Sequence, residues 1–106
     1  MKRQDTSESQ VKYVYLALGS NLGNKILNLE KAKYQLTLKE INILKTSKYY
    51  QTKSWPYNQF PDIINCVILV ETRLKLDNLF FEIKNIEKVL GRKQNKRNHP
   101  RVCDID

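Results

Sequence analysis

The residues best suited to chemistry lie at His99-Pro100-Arg101-Val102-Cys103-Asp104-Ile105-Asp106. Asp104 and Asp106 flank a single β-branched residue. In an extended strand successive side chains point to opposite faces, so the two carboxylates share a face about 7 Å apart. Oxygen donors of this kind suit a hard divalent cation, and Arg101, three residues before the first of them, suits an anion. Carboxylates with an arginine describe a place where Mg²⁺ and a polyphosphate meet. Upstream, Arg92, Lys93, Lys96, Arg97 and Arg101 follow one another with no acid between them. Alone, such a run is a solvated basic loop; functionally, it is an anion-binding loop for nucleic acid or nucleotide phosphates. The carboxylates directly after it favour nucleotide, because they would repel a nucleic-acid backbone unless metals intervened.

Four other places carry residue types that bind or react. Gly19-Ser20-Asn21-Leu22-Gly23 is neither a Walker loop nor a GxGxxG turn. It reads as an ordinary strand-to-helix turn, or as a mobile loop that closes over a ligand. Thr52-Lys53-Ser54-Trp55-Pro56 and Phe60-Pro61-Asp62 form a proline-pinned connection whose aromatics could stack a flat heterocycle. Asn65 opens an otherwise apolar run, and its amide offers both a donor and an acceptor, matching the edge of a pterin or purine. A local turn bond would satisfy it equally well. Glu87 lies on an expected helix, where a solvated face is the plain reading. His99 could act as a general base, though one histidine in a basic loop is ordinarily just a loop residue.

The elements that must position these residues follow from periodicity and punctuation. Residues 12–18 (KYVYLAL) read as a buried first strand. Residues 19–24 break it with turn residues, and a helix follows over 25–38 with Ile26, Leu29, Ala32 and Leu36 as its apolar stripe. Residues 41–52 read as a second strand, 53–61 as a loop and 64–72 as a third strand. Asp77 is the expected N-cap of a second helix running to Leu90, with Leu79, Ile83, Ile86 and Leu90 inward and Gly91 at the C′ position. The order β-α-β-β-α-β predicts an α+β, ferredoxin-like antiparallel sheet with two helices on one face, its last strand only begun at the Asp-Ile-Asp.

Composition bounds the rest. At 106 residues there is room for one domain, expected over 12–106 after a flexible lead-in over 1–11. The lead-in carries no secretory signal, and no apolar run approaches the roughly 20 residues that span a bilayer. Cys66 and Cys103 have no zinc-site spacing, so a cytoplasmic chain with reduced thiols is expected. The net charge of +8 admits a small nucleic-acid-binding domain. However, residues 65–72 lack the Lys/Arg-Gly-aromatic pattern that an RNA-recognition domain carries on its third strand.

The segments Leu18-Gly19-Ser20-Asn21-Leu22-Gly23, Tyr49-Tyr50-Gln51-Thr52, Pro61-Asp62-Ile63-Ile64-Asn65, Ile86-Glu87-Lys88-Val89-Leu90-Gly91-Arg92 and Pro100-Arg101-Val102-Cys103-Asp104-Ile105-Asp106 together resemble the 6-hydroxymethyl-7,8-dihydropterin pyrophosphokinases. The resemblance runs from about Tyr13 to Asp106. It implies Mg²⁺-dependent transfer of pyrophosphate from ATP to the hydroxymethyl group of the dihydropterin, with release of AMP, in folate biosynthesis. It implies two Mg²⁺ ions on Asp104 and Asp106, and phosphate contacts from Arg92 and Arg101 as the catalytic arginines. It further implies ATP contacts at Glu87, Arg92, Arg101 and Ile105, and a pterin pocket at Thr52, Trp55 and Asn65. The partners implied are ATP and the dihydropterin, with neither nucleic acid nor membrane, for a chain that acts as a monomer or beside a complementing C-terminal fragment. Two departures stand out. Ile63 occupies a position that is usually aromatic, leaving stacking to Trp55 or Tyr57, and Asn98-His99 stands where the family often has Trp-Gly. Members of the family also continue past the position of Asp106, so a catalytically dead remnant or one half of a split gene is the alternative reading.

Overall fold

The computed structural model describes residues 10–54, 59–91 and 103–106. Five strands and two helices follow the chain: β1 (Lys12–Ser20), α1 (Lys25–Thr37), β2 (Ile41–Thr46), β3 (Tyr50–Thr52), β4 (Ile63–Thr72), α2 (Leu76–Val89) and β5 (Asp104–Ile105). All pairings are antiparallel. The sheet order is β2-β4-β1-β5, and β3 also pairs with β4. This is the ferredoxin-like arrangement expected, with β5 only two residues long. Of the lead-in expected over 1–11, only Gln10 and Val11 fall among the described residues.

Strand alternation decides the two faces of the sheet. Leu16 and Leu18 of β1 and Cys66, Ile68 and Val70 of β4 are buried beneath the helices. Between them, Tyr13, Tyr15, Ala17, Asn65, Val67 and Leu69 point to the other, open face. β1 is therefore not the doubly buried strand its apolar run implies: Tyr13 and Tyr15 are exposed.

The helices close the covered face. Leu29, Ala32 and Leu36 of α1 are completely buried; burying a leucine contributes about 1.5–3 kcal/mol. Ile26 is half exposed, contrary to the expected stripe. The true stripe runs i, i+4, i+7, i+11 from Lys25, whose ammonium reaches the Asp62 carbonyl at 2.7 Å. Asn24 caps the helix by accepting from the Leu27 amide. In α2, Leu79, Ile83 and Ile86 face the core as expected. Its N-cap, however, is Lys75, whose side chain makes no capping bond, and Asp77 sits inside the first turn, where its charge complements the helix dipole. Gly91 takes the C′ position with φ +100°, a conformation that strains other residues.

The expected second strand over 41–52 divides into β2 and β3, and the division has a physical cause. Thr46 pairs with Ile68 and Tyr50 with Asn65, so four steps on one side match three on the other. At the break the Ser47 hydroxyl accepts the Val67 amide at 2.9 Å, and the Ser47 amide donates to the Val67 carbonyl at 2.8 Å. Tyr49 then turns toward α1. Its hydroxyl donates to Glu30, and the Lys33 ammonium lies 4.9 Å from its ring centre. The extra residue reverses the facing of everything after it. An earlier register shift, between Ile43 and Lys45, has already reversed the facing once, so the two shifts together return Tyr49 to the helices and Tyr50 and Thr52 to the open side, as plain alternation from Ile41 and Ile43 would.

Cys66 and Cys103 are both buried, and neither is joined in a disulfide. No helix among the described residues is long and apolar enough to cross a membrane. Burial pushes the Cys66 thiol above its ordinary pKa. A raised value means that its contribution to stability is complete below the unfolded thiol's pKa and is lost as pH rises through the folded one. Iodoacetamide labelling of Cys66 at pH 8 should therefore track global unfolding, while equal rates for native and urea-unfolded chain would contradict its burial.

Candidate active site

Register builds the site. Gly19 of β1 pairs with Asn65 of β4 on one side and with Asp104 of β5 on the other, and Asn65 pairs in turn with Tyr50 of β3. Tyr50, Asn65, Gly19 and Asp104 thus form one row across the open face. Two strand spacings separate the Asn65 and Asp104 backbones, about 10 Å. A Cβ at Gly19 would lie 3.2 Å from Ile63 Cγ2 and 3.3 Å from Asn65 Oδ1, tighter than side chains ordinarily approach. The missing side chain leaves a notch between the amide and the carboxylate.

At the amide end, Asn65 Nδ2 donates to Thr52 Oγ1 at 2.9 Å, with longer approaches to the Ile63 and Tyr50 carbonyls. These bonds turn Oδ1 toward the notch. Thr52 and Tyr50 are exposed beside it, and Ile63 is half-buried. Thr52 and Asn65, expected to share a pocket, do stand together. Trp55 and Tyr57 lie outside the described residues.

At the carboxylate end, Asp104 is half-buried and Asp106 exposed. The strand pairing continues to Asp106, which exchanges two main-chain bonds of 2.8 Å with Ala17. Both aspartates therefore face the open side, as the spacing predicts, opposite Gly19 and Ala17, the two smallest residues of β1. Bulkier partners would fill the space beside the carboxylates. Among the described residues, no group of three or more His, Cys, Asp or Glu gathers as a metal cage. A cation on this pair would complete its shell with phosphate and water, which is how Mg²⁺ is commonly held. Arg92, His99 and Arg101 lie outside the described residues.

Glu87 and Ile105 hold each other. The Ile105 side chain is buried beneath α2, and its amide points away from β1 into the carboxylate of Glu87, 2.8 Å to Oε2. Glu87 is itself only 2% exposed, and the Lys84 ammonium lies 3.5 Å from its other oxygen. A solvated face is thus the wrong description of Glu87. An ATP contact at Ile105 would fall to its carbonyl, since its side chain and amide are engaged. The role of Glu87 visible here is to satisfy the outer amide of an edge strand lying between the two aspartates.

Sequence reasoning missed three contributors: Tyr50 as an open-face aromatic, Ala17 as a spacer, and the buried polar pair Asn21 and Ser54. Asn21 donates to Ser54 Oγ at 3.1 Å, and Asn28 holds the same turn through Ser20 Oγ and the Leu22 carbonyl. The turn after β1 is consequently pinned by side chains rather than free to close. Alternation from Ile41 and Ile43 through Tyr49 already sets Tyr50 on the open side, and the small residues at 17 and 19 are a signal that strand pairing makes readable.

Replacing Glu87 by alanine should strand the Ile105 amide and cost about 1.5–3 kcal/mol in urea unfolding. Glu87→Gln, which keeps an acceptor, should recover most of it. Wild-type stability and unchanged hydrogen exchange at Ile105 in Glu87→Ala would show that the bond does not hold β5.

The family model described as 7,8-dihydro-6-hydroxymethylpterin-pyrophosphokinase (HPPK) matches residues 15–106. The folic acid synthesis protein fol1 of Pneumocystis carinii is 41% identical over 93 residues, covering 88% of this chain and 13% of that protein. The 2-amino-4-hydroxy-6-hydroxymethyldihydropteridine pyrophosphokinase of Aquifex aeolicus is 38% identical over 93 residues, 88% of this chain and 58% of its own length. The folate synthesis bifunctional protein of Chlamydia muridarum is 38% identical over 99 residues, 89% of this chain and 22% of its own. The chain thus spans less than two thirds of each of these relatives. With a family match over nearly its whole length, and with the aspartate pair, the asparagine and the glycine notch lying inside the matched region, the chain belongs to the 7,8-dihydro-6-hydroxymethylpterin-pyrophosphokinase family.

Proposed function

We propose that the open face carries a pyrophosphoryl-transfer site, at which a 6-hydroxymethyl-7,8-dihydropterin takes pyrophosphate from ATP and AMP is released, as a step of folate biosynthesis. The observation that carries this reading is the row from Asn65 through Gly19 to Asp104. It sets an amide with donor and acceptor about 10 Å from a carboxylate pair, with an open notch between, which suits a flat bicyclic heterocycle bearing a short arm.

In this reading Asn65 and Thr52 read the ring edge, and Tyr50 offers the aromatic face that Ile63 does not. Trp55 is a further candidate for stacking. Asp104 and Asp106 hold two Mg²⁺ ions, whose role when bound is to neutralise phosphate charge. Arg92 and Arg101 contact the phosphates; the guanidinium fork can grip two oxygens at once. The dihydropterin hydroxyl oxygen forms a bond to the β-phosphorus of ATP as the bond from that phosphorus to the α,β-bridging oxygen breaks. AMP leaves with the electron pair, and the hydroxyl proton passes to solvent. Little covalent work falls to the protein, so alignment and fixed charge supply the rate. Glu87 serves this site through Ile105. The buried cysteines, neither joined in a disulfide, are in keeping with a reducing, cytoplasmic setting.

A second reading has its own observation. In it, transfer needs the part of the fold that a chain spanning 58% of the Aquifex relative's length leaves out.

AMP release from ATP, with dihydropterin and Mg²⁺, tests both. Asp104→Ala should lower the rate by roughly a hundredfold or more, the scale of lost metal assistance, at nearly unchanged melting temperature, and chelation should abolish turnover. Near-wild-type turnover in Asp104→Ala would refute the metal role. Activity that appears only on adding a polypeptide carrying the remaining part of the Aquifex relative would establish complementation.

A further inference from the structure

The turn after β1 and the connection from β3 to β4 are joined by side chains far apart in sequence. Asn21, 8% exposed, donates its amide to Ser54 Oγ at 3.1 Å, and Ser54, 4% exposed, passes its own proton to the Pro61 carbonyl at 2.6 Å. The single hydroxyl therefore accepts from one segment and donates to another. Two bonds brace the same joint from outside: Lys25 Nζ to the Asp62 carbonyl at 2.7 Å, and Gln51 Nε2 to Asp62 Oδ2 at 2.5 Å. No ladder bond does this job, because Ser54 and Asn21 lie beyond the ends of β3 and β1. Buried polar groups this specific are costly unless fully paired, and once paired they fix one geometry.

What this joint fixes is the flank of the proposed site beyond the ends of the strands. Asn21 follows Gly19, the floor of the notch, by two residues, and Ser54 follows Thr52, on its rim, by two residues. We propose that the Asn21–Ser54–Pro61 relay is a positioning device: it holds the turn after Gly19 against the connection after Thr52, where strand pairing has ended, and thereby sets the affinity for the flat heterocycle, without touching the ligand or the phosphates. This rests on the reading of the site given above. The relay should act on the heterocycle end alone, since the carboxylate end is held independently by β1 pairing and Glu87.

Two variants separate this from a merely structural role. Ser54→Ala removes both bonds. Asn21→Asp keeps the shape but replaces the donor by an acceptor, so that the one serine proton cannot serve both neighbours. In each, KM for the dihydropterin should rise about tenfold, the scale of one lost buried hydrogen bond, while KM for ATP and kcat stay within about twofold, and the double variant should be no worse than either single one. In the ligand-free chain, hydrogen exchange should quicken at amides 20–23 and at those of Gln59, Phe60 and Asp62, and remain unchanged at 83–87 in α2. Equal KM values for wild type and variants, or exchange that quickens uniformly or nowhere, would overturn the positioning role. Failure of the wild-type chain to bind dihydropterin would instead overturn the proposed function, and the exchange pattern would still decide the relay.

Discussion

Everything at the candidate site hangs on β1 pairing antiparallel with strands on both sides of Gly19. Nine consecutive pairs lock β1 to β4, from Lys12 opposite Thr72 to Ser20 opposite Ile64. A slip of one residue would turn Asn65 inward and expose Cys66. That slip is prevented by the covered face: Leu16, Leu18, Cys66, Ile68 and Val70 are buried, and moving them to solvent would forfeit most of the hydrophobic stabilisation of the sheet. The site's register is thus maintained from the opposite face, by residues that take no part in binding.

The two ends of the row are secured by different physics. The amide end depends on two register shifts that cancel: one between Ile43 and Lys45 and one between Thr46 and Tyr50 together leave Tyr50 and Thr52 on the open face, and Ser47 keeps the ladder to Val67 intact across the second. The carboxylate end depends on a buried charge. β5 has two residues, too few to hold by pairing alone, and Glu87 supplies the acceptor that a neighbouring strand would otherwise provide. Because β5 is anchored through Ile105, the aspartates on either side remain free to face outward. Core residue and ligand residue alternate along three positions of chain.

The fold was largely legible. The Leu29–Ala32–Leu36 spacing in α1 and glycine at 91 each follow from a local rule that the tertiary structure does not oppose, whereas the apolar run of β1 hid its alternation. The misreadings share a cause. Ile26 and Lys25 are one position apart, and only contact with the Asp62 carbonyl decides which continues the stripe. Asp77 and Lys75 compete for the cap, and the backbone turns extended at the residue without a capping side chain. Glu87 looks like any helix-surface acid until the strand that needs its oxygen is placed beside it.

The sequence alone determined residue type and spacing: a carboxylate pair on one side of a strand, an amide at the head of another, glycine where two strands crowd, and segments similar enough to a known family to name its chemistry. Those are local properties, set by the two-residue repeat of a strand and the 3.6-residue repeat of a helix. Only the tertiary structure decided that Asn65, Gly19 and Asp104 stand in one row, that Ala17 clears space beside Asp106, and that Glu87 is buried. Each of these depends on which residues of distant segments meet, which no local repeat specifies.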